Sequence, residues 1–252
     1  MTDLYALMIQ YLGKAEAGGV SGGQYDSQDQ SIYYMVAMLI AKILSISNEV
    51  ADVGNESSDL NSLRQDVINV QKDIAQMQQW AQDHSKDASQ PPLPAALVTQ
   101  FANDLKQYLA DAQKVDDIAH KMVPPNKGFA DQADEVLANA NMIWNEKDYD
   151  GEITVGELIQ VGDYKELGAW LAKQAYSGTS TSGVLYNWTT KGEDGAQSLS
   201  GVNTDLGTDI SNYDQELNTD GTYLQQDDQV AQNGINGFGS MINQFVTNQK
   251  SQ

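Results

Sequence analysis

The chain has 252 residues, with 35 acidic against 14 basic side chains, a formal charge of -21 and no cysteine. A negative charge of that size repels nucleic acid and anionic membrane surfaces; it favours solubility, cationic partners or metal ions. Without cysteine there are no disulfides, no thiolate catalysis and no cysteine-based zinc or iron–sulfur sites.

Residues 3–17 predict a short helix carrying Leu4, Leu7, Met8, Tyr11 and Leu12, closed by the glycines of 18–23. Met1-Thr2-Asp3-Leu4 lacks the basic start and apolar core of a cleaved signal peptide. A long helix follows from about Asp29 to His84, marked by apolar residues in strict sevens: Ile32, Leu39, Ile46, Val53, Leu60, Val67, Ile74 and Ala81. Val36, Ile43, Val50, Leu63, Val70 and Met77 supply the second position of the repeat. A period of 3.5 keeps one stripe of a helix against one partner along its whole length. Gly54, mid-helix, costs roughly 1 kcal/mol of helix propensity, and a kink or short break is expected there, while the heptad phase continues across it and argues against a true turn. The apolar run Tyr33–Ala41 is too short to span a bilayer, yet apolar nearly all round, so it must be covered on more than one face.

Pro91, Pro92 and Pro94 make 85–94 a loop. A second helix is expected from about Pro94 to Met122, with Leu97, Phe101, Leu105, Leu109, Ala112, Val115, Ile118 and Met122 on one side, antiparallel to the first. Residues 129–193 alternate short helical patterns with glycine turns and contain Trp144, Trp170 and Trp188. Ser177–Ser182 reads as a flexible loop, and Val184–Thr190 as a strand or hairpin arm. A final long helix from about Gly195 to Thr247 carries a seam in steps of four and three: Leu206, Ile210, Tyr213, Leu217, Asp220, Leu224, Asp227, Ala231, Gly234, Phe238, Met241 and Phe245. Asp220 and Asp227 are costly there if buried unpaired. They mark either a wet, splayed stretch or a register device sensitive to pH or partner.

The expected fold is mainly α: an elongated helical bundle or coiled coil of long N- and C-terminal helices with a small irregular insertion of α and some β. The expected divisions are 1–28 (short helix and glycine-rich linker), 29–126 (helical hairpin), 127–193 (insertion) and 194–252 (C-terminal helix).

Within the insertion, Asp148-Tyr149-Asp150-Gly151-Glu152-Ile153-Thr154-Val155-Gly156-Glu157 resembles the calcium loop of the EF-hand family. Calcium takes six to eight oxygens, which a tight loop offers at alternate positions. On that frame Asp148 and Asp150 ligate through their side chains and Gly151 makes the turn. Glu152 offers its carbonyl, Thr154 ligates directly or through water, and Glu157 is the bidentate ligand. Ile153 is the apolar anchor. Glu146 stands where the family has Asp, one methylene too long, and no second loop is present. The resemblance implies a single structural Ca2+ site. Its flanks fit: Ala133, Val136, Leu137, Ala140 and Ile143 make an entering helix, and Val155, Leu158 and Ile159 begin an exiting one.

No phosphate-binding glycine loop, no serine elbow and no paired-histidine metal motif occurs. His84 and His120 read as surface helix residues. The chain is therefore not expected to be an enzyme.

The Ile32–Ala81 heptads, the apolar start of that helix and the Asn/Gln/Thr-rich final helix together resemble exported filament, needle-tip and translocator-associated proteins of bacterial type III secretion systems, especially the EspA-like filament subunits. The resemblance is one of architecture. It implies a secreted or cell-surface protein without a cleaved signal, self-association into a homo-oligomer or filament, an export chaperone and secretion-apparatus partners. No nucleic acid and no membrane span are expected. The alternatives are a calcium-binding module and a monomeric helical effector or adaptor whose heptads close internally.

Overall fold

The computed structural model describes residues 27–87, 89–147, 151–177, 183–193 and 195–250; side chains are described from 38 onward except at 39, 228, 231, 232 and 234–250. The short helix expected at 3–17 and the loop at 178–182 lie outside the described residues, as do the side chains of Ile32, Val36, Leu39, Phe238, Met241 and Phe245.

The chain is mainly helical, and among the described residues there is no strand, only the isolated bridges Lys147–Thr154 and Glu193–Ala196. In order the helices are α1 (Ser27–Asp83), α2 (Ala95–Ala119), α3 (Lys127–Trp144), α4 (Val155–Val161), α5 (Tyr164–Ser177), α6 (Val184–Tyr186), which continues into a π-helical turn at Asn187–Lys191, and α7 (Leu199–Lys250). The described helices contain no stretch long and apolar enough to cross a membrane.

Two expectations need correction. Gly54 does not break α1, which runs helical from end to end. A methyl added at Gly54 would meet Leu217 at an ordinary 3.9 Å, so the position is packed as part of the helix pair. The segment Val184–Thr190 is not a strand or hairpin arm but helix and π turn. Its β-favouring residues yield to burial, because Trp188 is fully enclosed, 6.2 Å from Phe101 in a near-parallel stack and 5.8 Å from Trp170.

The contacts divide the chain into two compact units, 1–55 with 213–252, and 56–212. The boundary falls inside α1 and inside α7. In the unit 56–212 the heptad stripe of α1 is closed: Leu60, Leu63, Val67, Val70, Ile74 and Met77 are wholly buried. Opposite them lies the stripe of α2, with Val98, Phe101, Leu105, Tyr108, Ala112, Val115 and Ala119. The two helices are antiparallel, since Gln100 reaches Asp73 at 2.7 Å and Asn126, just beyond α2, reaches Glu56 at 2.8 Å. The start of α7 completes this unit with Leu199, Val202, Leu206 and Ile210, pinned to α1 by Arg64 donating to Asn203 at 2.9 Å.

α3 packs along α2, and α5 approaches it closely enough that a methyl at Gly168 would stand 3.1 Å from Val98. One set of polar groups inside is matched across three elements. The Tyr108 hydroxyl lies 3.0 Å from Asn139 Oδ1 and 3.2 Å from the Val136 carbonyl, and Asn139 Nδ2 donates to the Gln197 carbonyl at 2.6 Å. One asparagine thereby ties α2, α3 and the approach to α7 together.

In the unit 1–55 with 213–252, α1 and α7 pair antiparallel, with Lys42 bound to Asp227 at 2.9 Å. The four-and-three seam of α7 is visible here: Tyr213, Leu217, Asp220, Leu224 and Asp227 are half-buried while their neighbours are mostly exposed. Asp227 is answered by Lys42, whereas Asp220 Oδ2 has no hydrogen-bond partner. The α1 side of this seam is less covered than in the other unit. Ile40 and Val53 are buried, but Ile43, Leu44, Ile46 and Val50 are half-buried, and Met38 is 65 % exposed.

Candidate functional site

The calcium-like loop sits between α3 and α4. Asn126 caps α3, accepting from the Phe129 amide at 3.2 Å, and the helix buries Phe129, Ala133, Val136, Ala140 and Ile143. It ends at Trp144. The chain then returns on itself through the Lys147–Thr154 bridge, and the Val155 amide donates to the Glu146 carbonyl at 2.8 Å. Gly151 has φ +71, a conformation side chains rarely adopt, so the expected turn residue makes the expected turn. α4 starts at Val155 and buries Val155, Leu158 and Ile159, the exiting residues read from the sequence.

Gly156 closes the arrangement. A methyl there would fall 2.0–2.4 Å from the indole of Trp144. The last residue of the entering helix and the first turn of the exiting one are therefore in direct contact, and only a glycine permits it.

Of the predicted ligands, Asp148 and Asp150 lie outside the described residues. Glu146 is half-buried, Glu152 is exposed, and Thr154 is half-exposed at the N-cap of α4. Thr154 and Glu157 are brought together in a reciprocal cap. Thr154 Oγ1 accepts from the Glu157 amide at 3.1 Å, and Glu157 Oε2 accepts from the Thr154 amide at 2.8 Å. The Thr154 backbone amide holds the Glu157 carboxyl below the usual glutamate range, with help from the Thr154 hydroxyl. Glu157 is thus ionised and oriented, as a calcium ligand must be, but the oxygen that caps the helix is one that bidentate ligation would use. Ile153 does not anchor the loop: it is 41 % exposed, because α3 and α4 are joined by Gly156 against Trp144 instead. The donor set of carboxylates, a hydroxyl and a carbonyl suits a hard cation.

Two further acidic groups come together that the sequence did not single out. Asp116 and His120 of α2 stand with Asp134 of α3, and Glu49 of α1 stands with Glu216 and Asp220 of α7; in each group the ligand atoms lie within 4.8 Å of one another. His120 is exposed as expected. Its Nδ1 lies 3.0 Å from the Asp116 carbonyl, a contact that raises its pKa, and its Nε2 is 3.8 Å from Asp134. The spacing of Asp116 and His120, four apart on a helix, was the available signal; Asp134 is brought in only by the turn between α2 and α3. His84 stacks on Trp80 at 4.1 Å at the end of α1. A solvent-open groove beside the calcium-like loop is lined by Asn141, Met142, Asn145, Glu146, Glu193 and Ala196.

No protein-family model, no curated protein and no solved structure matches the chain.

Proposed function

We propose that this is a non-enzymatic structural or interaction protein that associates with itself through the paired helices α1 and α7. The observation that carries the reading is the uneven closure of one heptad stripe. From Leu60 to Met77 the stripe is wholly buried, while Ile43, Ile46 and Val50 on the same stripe are half-buried. Apolar surface left in water favours association by about 25 cal/mol per Å² removed. A second copy laid against this stretch is the simplest way to remove it. The strong negative charge then opposes indiscriminate contact and leaves the apolar stripe as the preferred one.

The architectural resemblance to exported type III secretion filament and needle-tip proteins fits such a role, with secretion-apparatus proteins and an export chaperone as further partners and the outside of the cell as the place of work. Light scattering over a range of concentration and salt tests the core of the proposal. Defined oligomers or filaments are expected, and Ile43→Ser with Ile46→Ser should disperse them. A monodisperse monomer at high concentration in every buffer overturns it and leaves the monomeric effector or adaptor.

A second reading has its own support in the Gly151 turn and the oriented, ionised Glu157. We propose that the α3–α4 loop binds one structural Ca2+ through Glu146, Asp148, Asp150, the Glu152 carbonyl, Thr154 and Glu157. Calorimetry should show binding that Glu157→Gln abolishes, and calcium should raise the melting temperature of the parent chain only. No heat at millimolar calcium removes this reading without touching the first.

A further inference from the structure

We propose that the α1–α2 hairpin is locked by two proton-sharing aspartate pairs, Asp66 with Asp111 and Asp73 with Asp104, each with its α1 member buried, so that it is tight in acid and loosens as the medium turns alkaline.

The pairs follow from the register. Asp66 and Asp73 are one heptad apart on α1, each immediately before an apolar stripe residue, Val67 and Ile74. On α2, Asp104 and Asp111 stand in the same relation to Leu105 and Ala112. The helices run in opposite directions, so moving seven residues forward along α1 moves seven back along α2. The side chains of Asp66 and Asp111 meet, and those of Asp73 and Asp104 meet. Positions that flank a helical seam usually carry opposite charges across the interface. Here both layers set carboxyl against carboxyl.

Neither α1 member can turn to water. Asp66 is 9 % exposed and Asp73 is fully enclosed. Asp73 Oδ1 accepts from Gln100 at 2.7 Å, which fixes the carboxyl, and its Oδ2 has no hydrogen-bond partner; Asp66 Oδ2 has none either. On α2, Asp104 and Asp111 are half-buried; two ionised carboxylates in contact, one of them enclosed, repel, and a proton between them converts repulsion into a hydrogen bond. The other charges do not change this. Asp66 feels Asp111 and Asp104; Asp73 feels Asp104 and, in the opposing sense, Lys72 of its own helix. Tyr108, between the pairs on α2, is held neutral by complete burial and by Asp66. Burial first, and the partner aspartate second, push both Asp66 and Asp73 up to about 7 from an ordinary 3.8.

The sign follows from proton counting. Between those two values the folded chain holds protons that the unfolded chain has released, so stability falls as pH rises, and the full penalty is present above about 7. The experiment is thermal unfolding of the whole chain from pH 5 to 8.5. The parent should melt lower as pH rises. Asp66→Asn with Asp73→Asn supplies an amide donor at every pH; it should flatten the slope and melt several degrees above the parent at pH 8.5 while matching it at pH 5. Asp52→Asn with Asp87→Asn removes the same charge from exposed positions and should keep the parent's slope. An unchanged slope in the buried double variant, or equal flattening in the exposed one, overturns the proposal. Carbon NMR of the parent's carboxyls decides without any variant: titration of Asp66 and Asp73 near neutrality supports the lock, and titration in the ordinary aspartate range refutes it. If magnesium or calcium restores the parent's melting temperature at pH 8.5 but not that of the buried double variant, a metal ion rather than a proton fills the pairs, and the proposal fails.

Discussion

Gly156 shows how one residue type can decide a local geometry. The space its hydrogen occupies is bounded by the Trp144 indole at 2.0–2.4 Å from where a methyl carbon would lie. Gly156→Ala must push the ring or the first turn of α4 away. Overpacking of this kind costs about 1–3 kcal/mol, and chemical unfolding should show a loss in that range. The fluorescence of Trp144 should shift to the red as the ring is displaced toward water. Nothing in the sequence announced this contact. Gly156 reads as one more glycine in a glycine-rich stretch, and its meaning depends on where a tryptophan twelve positions earlier comes to rest. The positive φ of Gly151, by contrast, was legible, because the loop spacing calls for a glycine at that position.

Among the elements, α4 depends most on its cap. It is seven residues long, too short to hold itself together in water, and the Thr154–Glu157 pair satisfies amides that its first turn leaves without helical partners. Thr154→Ala should cost about 1 kcal/mol in chemical unfolding at neutral pH. The Glu157 half of the cap carries a pH signature opposite to that of the buried aspartates. Its carboxyl is held below the usual range, so its contribution is present above the ordinary glutamate pKa and disappears as pH falls through the lowered value. The parent should therefore be more stable than Glu157→Gln at neutral pH, with the gap closing in acid.

The long elements were legible for a simple reason. A seven-residue rhythm records which face of a helix is covered, whatever covers it, and Leu60 to Ala81 obey it to the last residue. Gly54 leaves the helix unbroken, as the continuing heptad phase indicated, because propensity is weak against the packing of a helix pair. Val184–Thr190 misled because its strand-like composition served another purpose, the enclosure of Trp188. The aspartate pairs escaped notice because a heptad reading follows the stripe and treats its flanks as solvated. Only the antiparallel register brings Asp66 to Asp111 and Asp73 to Asp104.

For the molecule as a whole, the two contact units share α1 and α7 yet close their cores to different degrees. Local stability tracks buried apolar contact. Hydrogen exchange should accordingly grade along one unbroken helix: backbone amides from Leu60 to Met77 should be the slowest on α1, and those from Ile40 to Val50 markedly faster. Addition of salt or an increase in concentration should slow the second group if copies associate there. Uniform protection from end to end in dilute protein would contradict the graded closure on which the proposed self-association rests.

Within the unit 1–55 with 213–252, α1 and α7 pair as uninterrupted helices. Length can therefore be traded in whole heptads. Seven residues deleted from, or duplicated in, each helix of this unit would change the length of the pair by about 10 Å and return every stripe residue to nearly the same bearing. A helix pair built this way can be cut to measure by copying a repeat.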